Sequence, residues 1–593
     1  MQTATVDTSF LERVVEAADQ EVAAFLATHD DDVTALAHRP AMARLLAMAA
    51  VFTDPGSRFH RQERLGPAMG RCLDRLEALQ GPAGLFDGTN LCSPPDSAFT
   101  LNDACLTLRL IRGLADAGPL LEEADARLAA IVSRSVDAMV AGGVHTPNHR
   151  WELCAALAQI NGIQPRAGIG ERIGQWLAEG IDQLPDGMYS ERSPLYATAV
   201  TNPSLLTIAD STDRPQLLDH VRRNLTAFLP WFSPDGTVES VFSRRQDQWM
   251  AFSAAPFLYL YRRFAVQDGR GDFAAAAGWL AGFPLHEPAK LLGLTRTDPF
   301  LAGALPAAPP LSVTFAPQAA PAPDAPRSLD AASPPPPALT PAEASLDSCG
   351  AYRFRSAGSV ATVFGGCDPL DPGAGSGLAT NPTFLRFGHG AALLSDVRLS
   401  RSFFDLGPFR SQHTVRRGSS LVLSEELEAN FYQPLPGDKR RVDGIYVLEH
   451  EGRFSAGMEF SARPRDVHRL GTEIVVHAEG GQVGLDIGFT GTHTAFALEL
   501  TFRPGGVLEG VQPVGATGTF QLTTGTGSYR VGNHVIEFGP GLPLDPDAPA
   551  GYNPGEGYRY LNGTNASDGV KVYIAGRTVG SHGFTFRGYT VRG

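Results

Sequence analysis

The chain has 593 residues, 43% of them hydrophobic, and a formal net charge of −14. That length exceeds what one hydrophobic core organises, so at least two domains are expected. The acidic balance argues against nucleic acid as the main partner, because phosphate binding calls for clustered Lys and Arg. No apolar stretch approaches the roughly 18 residues of a membrane span.

The opening segment, MQTATVDTSFLERVVEAADQEV, has neither a basic n-region nor an apolar h-region. No signal peptide is expected from it, and a cytoplasmic protein is the plain reading; a signal removed upstream would make it periplasmic or secreted. Cys72, Cys92, Cys105, Cys154, Cys349 and Cys367 are scattered without CxxC spacing. They read as reduced thiols rather than a disulfide frame or a zinc site.

From 1 to 300 the apolar residues recur at helical spacing. In 10–25, Leu11, Val14, Val15, Ala18, Val22 and Phe25 fall three and four apart. Similar patterns predict helices at 41–52, 68–79, 101–117, 120–140, 152–160, 169–183, 215–228 and 252–264. Gly81-Pro82-Ala83-Gly84 and Ser93-Pro94-Pro95-Asp96 read as loops between them. Many helices of this length with short turns fit an array of helical hairpins, in a bundle, a solenoid or a closed toroid.

The composition shifts over 301–344, where Ala and Pro dominate. Such a run cannot build a core and predicts an extended linker. From 345 to 593 the period becomes two. Strands are predicted at 359–364, 420–423, 444–450, 472–477 and 495–502, with Asn562-Gly563 as a turn. The expected fold class is therefore α+β multidomain, with a helical array followed by an antiparallel β-sandwich or stacked-sheet domain.

Chemistry-bearing residues concentrate in the helical half. His145-Thr146-Pro147-Asn148-His149-Arg150-Trp151-Glu152 opens an apolar helix. Asn148 suits its N-cap, and His149 and Glu152 lie one turn apart at a mouth that favours an anion. Asn148 as a simple cap with a solvated His149 is the bland alternative. A second segment runs Asp186-Gly187-Met188-Tyr189-Ser190-Glu191-Arg192-Ser193-Pro194-Leu195-Tyr196. Its Pro-Asp-Gly start is a turn signal. Tyr196 is either a proton-handling phenol or a core aromatic, and Tyr189 competes with it. A third segment carries Arg244-Arg245-Gln246-Asp247. Its paired guanidinium groups can hold a carboxylate bidentately or pair with local acids such as Asp247. In the β half, Arg386-Phe387-Gly388-His389-Gly390 sets a His in a Gly-flanked strand. Asp396, Asp405 and His413 lie nearby in sequence, without tight metal-ligand spacing.

Taken in order, Asn-His-x-x-Glu, Asp-Gly-x-x-x-Glu-x-Ser-Pro-x-Tyr and a later Gly-flanked His make the chain resemble the heparinase II/III-like and alginate-lyase-like polysaccharide lyases. The resemblance implies an (α/α) toroid packed on an antiparallel β domain, with an active site between them. It implies that Asn148 and His149 neutralise a uronate carboxylate, that Tyr196 is the catalytic phenol, that His389 comes from the β domain, and that Arg244 assists. Glu152, Glu191, Arg245 and Trp151 are then the candidates for substrate binding. Where the family carries His-x-His-x-Asp, this chain has Gly388-His389-Gly390-Ala391-Ala392, and no cofactor is expected.

The implied activity is β-elimination on a uronate-containing oligo- or polysaccharide, leaving a 4,5-unsaturated uronate. Such a reaction needs donors on the carboxylate, with His149 expected as a protonated one, and a base for the C5 proton. A Tyr with an ordinary pKa of about 10 needs cations nearby for base work. Two other readings remain. One is a glycoside hydrolase on the same scaffold using two of Glu152, Glu191, Asp186 and Asp247. The other is a non-catalytic carbohydrate-binding protein. An acidic chain without a broad basic groove suits a sparsely charged glycan.

Overall fold

The computed structural model describes residues 5–27, 31–88, 91–249, 251–308, 342–356, 358–368, 381–451, 454–515, 518–555 and 568–591. The predicted Pro-rich linker falls mainly on 309–341, and the Asn562-Gly563 turn on 556–567; both lie outside the described residues.

The helical half is built of two kinds of helix, and burial separates them. His38–Thr53, Pro94–Arg112 and His149–Ile163 are buried over most of their length and on most sides. Every residue from Leu45 to Thr53 and from Trp151 to Ile160 is inaccessible. Gly66–Leu79 and Gly118–Ala141 instead bury a single stripe, as in Met69, Cys72, Leu73 and Leu76. A helix buried on all sides belongs to an inner layer, and a one-striped helix covers it. The inner row runs Pro288–Thr297, His38–Thr53, Pro94–Arg112, His149–Ile163, Asn202–Thr212, each packed on the next. Outer helices Thr8–Leu26, Gly118–Ala141, Ile169–Leu177 and Leu217–Phe228 each back one of them. This is the (α/α) toroid arrangement.

The first helix lies against the last hairpin. Thr8–Leu26 packs on Pro288–Thr297, Val6 bridges Gly303, and Arg262 donates to Asp7 at 2.8 Å.

Local signals account for the differences from expectation. Ser93-Pro94-Pro95-Asp96 is a helix start rather than a loop: Ser93 Oγ accepts from Asp96 N–H at 3.0 Å, and proline is tolerated where no helical N–H bond is needed. The 81–84 turn is a loop as expected. Gly84 has φ +80 there, and a Cβ would collide with the Arg134 carbonyl. Helices Asn202–Thr212, Gly271–Leu280 and Pro288–Thr297 lie outside the predicted spans.

After the last helix, Pro299–Ala302, the first described strand is Glu343–Leu346. Two sheets follow. A nine-stranded sheet runs in the order Gln512–Pro513, Thr519–Gln521, Val570–Arg577, Ala495–Phe502, Ala392–Arg401, Leu385–His389, Ser359–Phe364, Ala351–Ser356, Glu343–Leu346. An eight-stranded sheet runs from His413–Arg417 through Ser420–Tyr432, Arg465–Glu479, Gln482–Gly491, Ser581–Thr590, His534–Gly539 and Gly527–Val531 to Val507–Glu509. The pairings are antiparallel except that of Thr519–Gln521 with Val570–Arg577. Leu394, Leu399, Ile474, Leu498, Ile536 and Phe584 belong to the core between the sheets. The strand expected at 444–450 is reduced to Glu449–Glu451. Val442, Ile445, Val447 and Leu448 before it are exposed, so alternation there buries nothing.

The two halves share packing. Leu346, Cys349, Ala351 and Phe364 join the helical core. Arg192 donates to the Gly366 and Ser348 carbonyls, and Arg355 to those of Pro230 and Phe232.

Candidate active site

Asn148 occupies the N-cap position of His149–Ile163, but not as a cap. Its backbone is αR (φ −68, ψ −24), and its side chain makes no capping bond. The side chain is 2% exposed instead, and neither amide atom has a hydrogen-bond partner among the described residues. His149 beside it is also buried, and its Nδ1 likewise lacks a partner there. The exposed His145 packs edge-on against the His149 ring at 4.9 Å, and Phe99 does so at 6.3 Å. Burial pushes the His149 imidazole down to about 4, and the charges of His145, Arg245 and Arg39 act in the same direction. His149 is therefore neutral at neutral pH, not the protonated donor expected. A buried polar group without a partner costs about 1–3 kcal/mol, so two adjacent ones call for a reason.

Tyr196 ends a one-turn helix, Pro194–Tyr196, that continues as a π-helical turn, Ala197–Thr201, into Asn202–Thr212. Wide π turns of this kind often mark functional positions. Ser193 Oγ accepts from the Tyr196 N–H at 3.0 Å and fixes the start of the turn. The Tyr196 ring is half-buried, with the Arg245 guanidinium 4.0 Å from its centroid. Its Oη donates to Gln246 Oε1 at a long 3.4 Å. Arg245 Nη1 in turn donates to Glu191 at 2.7 Å. Burial raises the Glu191 carboxyl to about 7, against the pull of Arg245. Arg245 thus touches the phenol, pairs with Glu191, and bears electrostatically on His149.

No family model matches this chain, and no curated protein sequence matches it. Among solved structures it is similar to the chondroitin AC lyase of Streptomyces coelicolor A3 in complex with chondroitin sulphate. That likeness has a TM-score of 0.52 and 14% identity, over 99% of this chain and 80% of that one. A mutant of the same lyase aligns with a TM-score of 0.50 at 13% identity, with the same coverage. A heparan sulfate lyase HepC mutant from Pedobacter heparinus aligns at 0.44 and 12%, over 94% of this chain and 76% of that one. The fold is that of the chondroitin AC lyase.

Within this lyase fold, several residues expected at the site serve other ends. Arg244 holds Asp368 with Nε and Nη2 at 2.6 and 2.7 Å and donates to the Ser190 carbonyl. It ties the toroid to the β half, while its neighbour Arg245 faces the phenol. Trp151 is fully buried, and its Nε1 donates to Asp182 at 3.2 Å. Glu152 is buried beneath the mouth, where Asn102 and Ser204 donate to it at 2.7 and 2.8 Å. Burial raises its carboxyl to about 6. Neither residue is presented to a substrate. Tyr189 is a core aromatic whose hydroxyl donates to Asn202 at 2.8 Å; burial drives its pKa well above the ordinary value.

His389 is not brought to this group. Leu385–His389 alternates, and His389 shares the face of Leu385 and Phe387, which belong to the inter-sheet core. Its Nδ1 lies 2.8 Å from Ser359 Oγ and its Nε2 2.9 Å from Thr590 Oγ1. Arg386, on the opposite face, is the residue of this strand that reaches the toroid, donating to Glu239 and to the Gln248 carbonyl. Asp396 accepts from Thr383 and Asp405 from Asn553, and no metal-holding group of His, Cys, Asp or Glu occurs among the described residues.

Sequence reasoning missed Gln246, Phe99 and Arg39 as neighbours of the site. Arg39 pairs with Asp96 and lies 3.7 Å over the Phe99 ring. Only the adjacency of Gln246 to the Arg pair signalled it in advance.

Proposed function

We propose that this protein is a polysaccharide lyase that cleaves a uronate-containing glycan by β-elimination. What supports the reading is the pair of buried, unpartnered polar side chains, Asn148 and His149, together with Arg245, whose charge bears on His149 and whose guanidinium stacks on Tyr196. An amide, a neutral imidazole and a guanidinium supply the donors that a uronate carboxylate needs as charge moves onto it. The C5 proton leaves to a base, the C4–O4 bond breaks, the C4–C5 double bond forms, and O4 takes a proton. On this reading Tyr196 handles these protons. Neutral His149 is the other candidate base, since an imidazole that stays deprotonated above about pH 4 is competent to accept a proton.

The hydrolase reading needs two free carboxyl groups about 5–9.5 Å apart across the scissile bond. Each acid considered for that role is engaged. Glu191 pairs with Arg245, Glu152 accepts from Asn102 and Ser204, Asp186 from Ser348, and Asp247 from Ser193 and Leu195. A sparsely charged substrate fits the electrostatics. His149 is neutral, and the guanidinium groups of Arg245 and Arg39 each already face a carboxylate.

The test is a panel of uronate glycans, including hyaluronan, chondroitin sulphate, heparan sulfate and alginate, followed by the ultraviolet absorbance of the unsaturated product. Product from at least one glycan, lost in Tyr196→Phe, supports the reading. New reducing ends without that absorbance establish the hydrolase instead. Binding without any cleavage establishes a non-catalytic carbohydrate-binding protein.

A further inference from the structure

Tyr196 and Arg245 come from segments about fifty residues apart, yet their side chains stack. What registers them is a third residue. Asp247 is fully buried. One of its carboxylate oxygens accepts from Ser193 Oγ at 2.9 Å and from the Leu195 N–H at 3.0 Å; the other accepts a short hydrogen bond from Ser243 Oγ. Each serine is itself an acceptor. Ser193 Oγ takes the N–H of Tyr196 at 3.0 Å, and Ser243 Oγ takes the N–H of Arg245 at 3.0 Å. The Asp247 carbonyl accepts from Ser240 Oγ at 2.6 Å and fixes the same loop from behind.

A symmetric yoke results. Two hydroxyls, each holding the backbone of one site residue, converge on a single carboxylate. An acceptor-only group is required at the centre, because both hydroxyls and an amide point donors at it. Charge-assisted bonds of this kind are short and directional, which suits the alignment of two chain segments.

We propose that Asp247 is a positioning residue for the lyase reaction: through Ser193 and Ser243 it sets the Tyr196 phenol against the Arg245 guanidinium. The proposal rests on the functional reading above. Asp247 lies beneath the site, works through Tyr196, and leaves the Asn148–His149 mouth to bind the carboxylate. An asparagine of the same shape turns an N–H₂ toward a hydroxyl or amide donor and breaks one arm.

The experiment is a double-mutant cycle on whichever uronate glycan of the panel yields product. Asp247→Asn is expected to lower kcat about 10-fold or more, since small misplacements of reacting groups are costly, with KM little changed. Asp247→Asn added to Tyr196→Phe is expected to lower kcat no further than Tyr196→Phe alone, because the carboxylate acts through that hydroxyl. Ser193→Ala and Ser243→Ala, which keep the fold-bearing carboxylate, are each expected to lower kcat several-fold, and they carry the test if Asp247→Asn does not fold. The proposal is overturned if Asp247→Asn, or both serine variants, keep near-normal kcat while Tyr196→Phe abolishes it. It is also overturned if the losses in the double variant multiply, as a general structural defect would make them. If Tyr196→Phe is itself silent, the lyase reading fails and this proposal with it.

Discussion

The guanidinium carbon of Arg245 lies 4.0 Å from the centroid of the Tyr196 ring, while Arg245 Nη1 is bonded to Glu191. The phenol is therefore held by its face, and among the described residues its hydroxyl has only a long bond to Gln246.

Removing that hydroxyl is expected to cost chemistry and little else. Tyr196→Phe should lower turnover roughly 10²-fold or more, and a 3.4 Å bond gives the hydroxyl little part in stability. Tyr189→Phe should do the reverse. It leaves turnover near normal but strips a buried donor from Asn202, at about 1–2 kcal/mol in urea unfolding. Equal kinetic losses from both variants would remove the distinction.

Arg245→Met should leave the buried Glu191 without its partner, so that it takes up a proton, and lower stability by about 1–3 kcal/mol through the lost hydrogen bond. Adding Glu191→Leu should recover most of that stability and none of the turnover. If the double variant regains activity, Arg245 is a structural partner of Glu191 alone.

The two titrating groups at the site act on stability in opposite directions. His149 has a folded pKa of about 4, below its ordinary 6.5, so its neutral form favours the fold. That contribution is complete above about pH 6.5 and is lost as pH falls toward 4, at most about 3 kcal/mol. Glu191 is raised from 4.5 to about 7, so its contribution is complete below about pH 4.5 and is lost as pH rises toward 7. Unfolding midpoints measured across this range should flatten on the acid side in His149→Gln and on the neutral side in Glu191→Gln. An imidazole resonance of His149 that titrates near 6.5 would contradict the first assignment.

Arg244 is expected to behave as a clamp between the halves. Asp368→Asn should weaken the bidentate pair and lower the thermal midpoint, with a smaller loss of kcat than Arg245→Met gives. A larger kinetic loss than that of Arg245→Met would return Arg244 to the reaction.

How much of this was legible in the sequence depends on which physical rule decided each residue. The spans 68–79, 359–364 and 495–502 end where their helix or strands end, because period and burial agree there. Three of the inner helices were visible as apolar runs within 38–53, 94–112 and 149–163, but their burial was not, so Trp151 and Glu152 read as accessible when they face protein. His389 failed on strand parity: three residues earlier and on the other face, Arg386 points to the toroid, and the pattern alone does not say which face meets it. Arg244 and Arg245 are adjacent in a loop without a period, so nothing local told the clamp from the partner of Tyr196. Asn148 and His149 were legible as types, but the loss of charge on His149 follows from burial that only the fold supplies.

The bridge between Val6 and Gly303, and the packing of Thr8–Leu26 on Pro288–Thr297, have a consequence for biogenesis. Helix Thr8–Leu26 has its apolar stripe of Phe10, Val14, Ala18 and Val22 covered in part by a helix made some 270 residues later. Hairpins between the two can form as they emerge, since their partners are close in sequence, but closure of the ring is a long-range event. Until then the nascent chain carries an exposed apolar seam, and chains stalled between 26 and 288 are the species most prone to aggregate or to engage a chaperone.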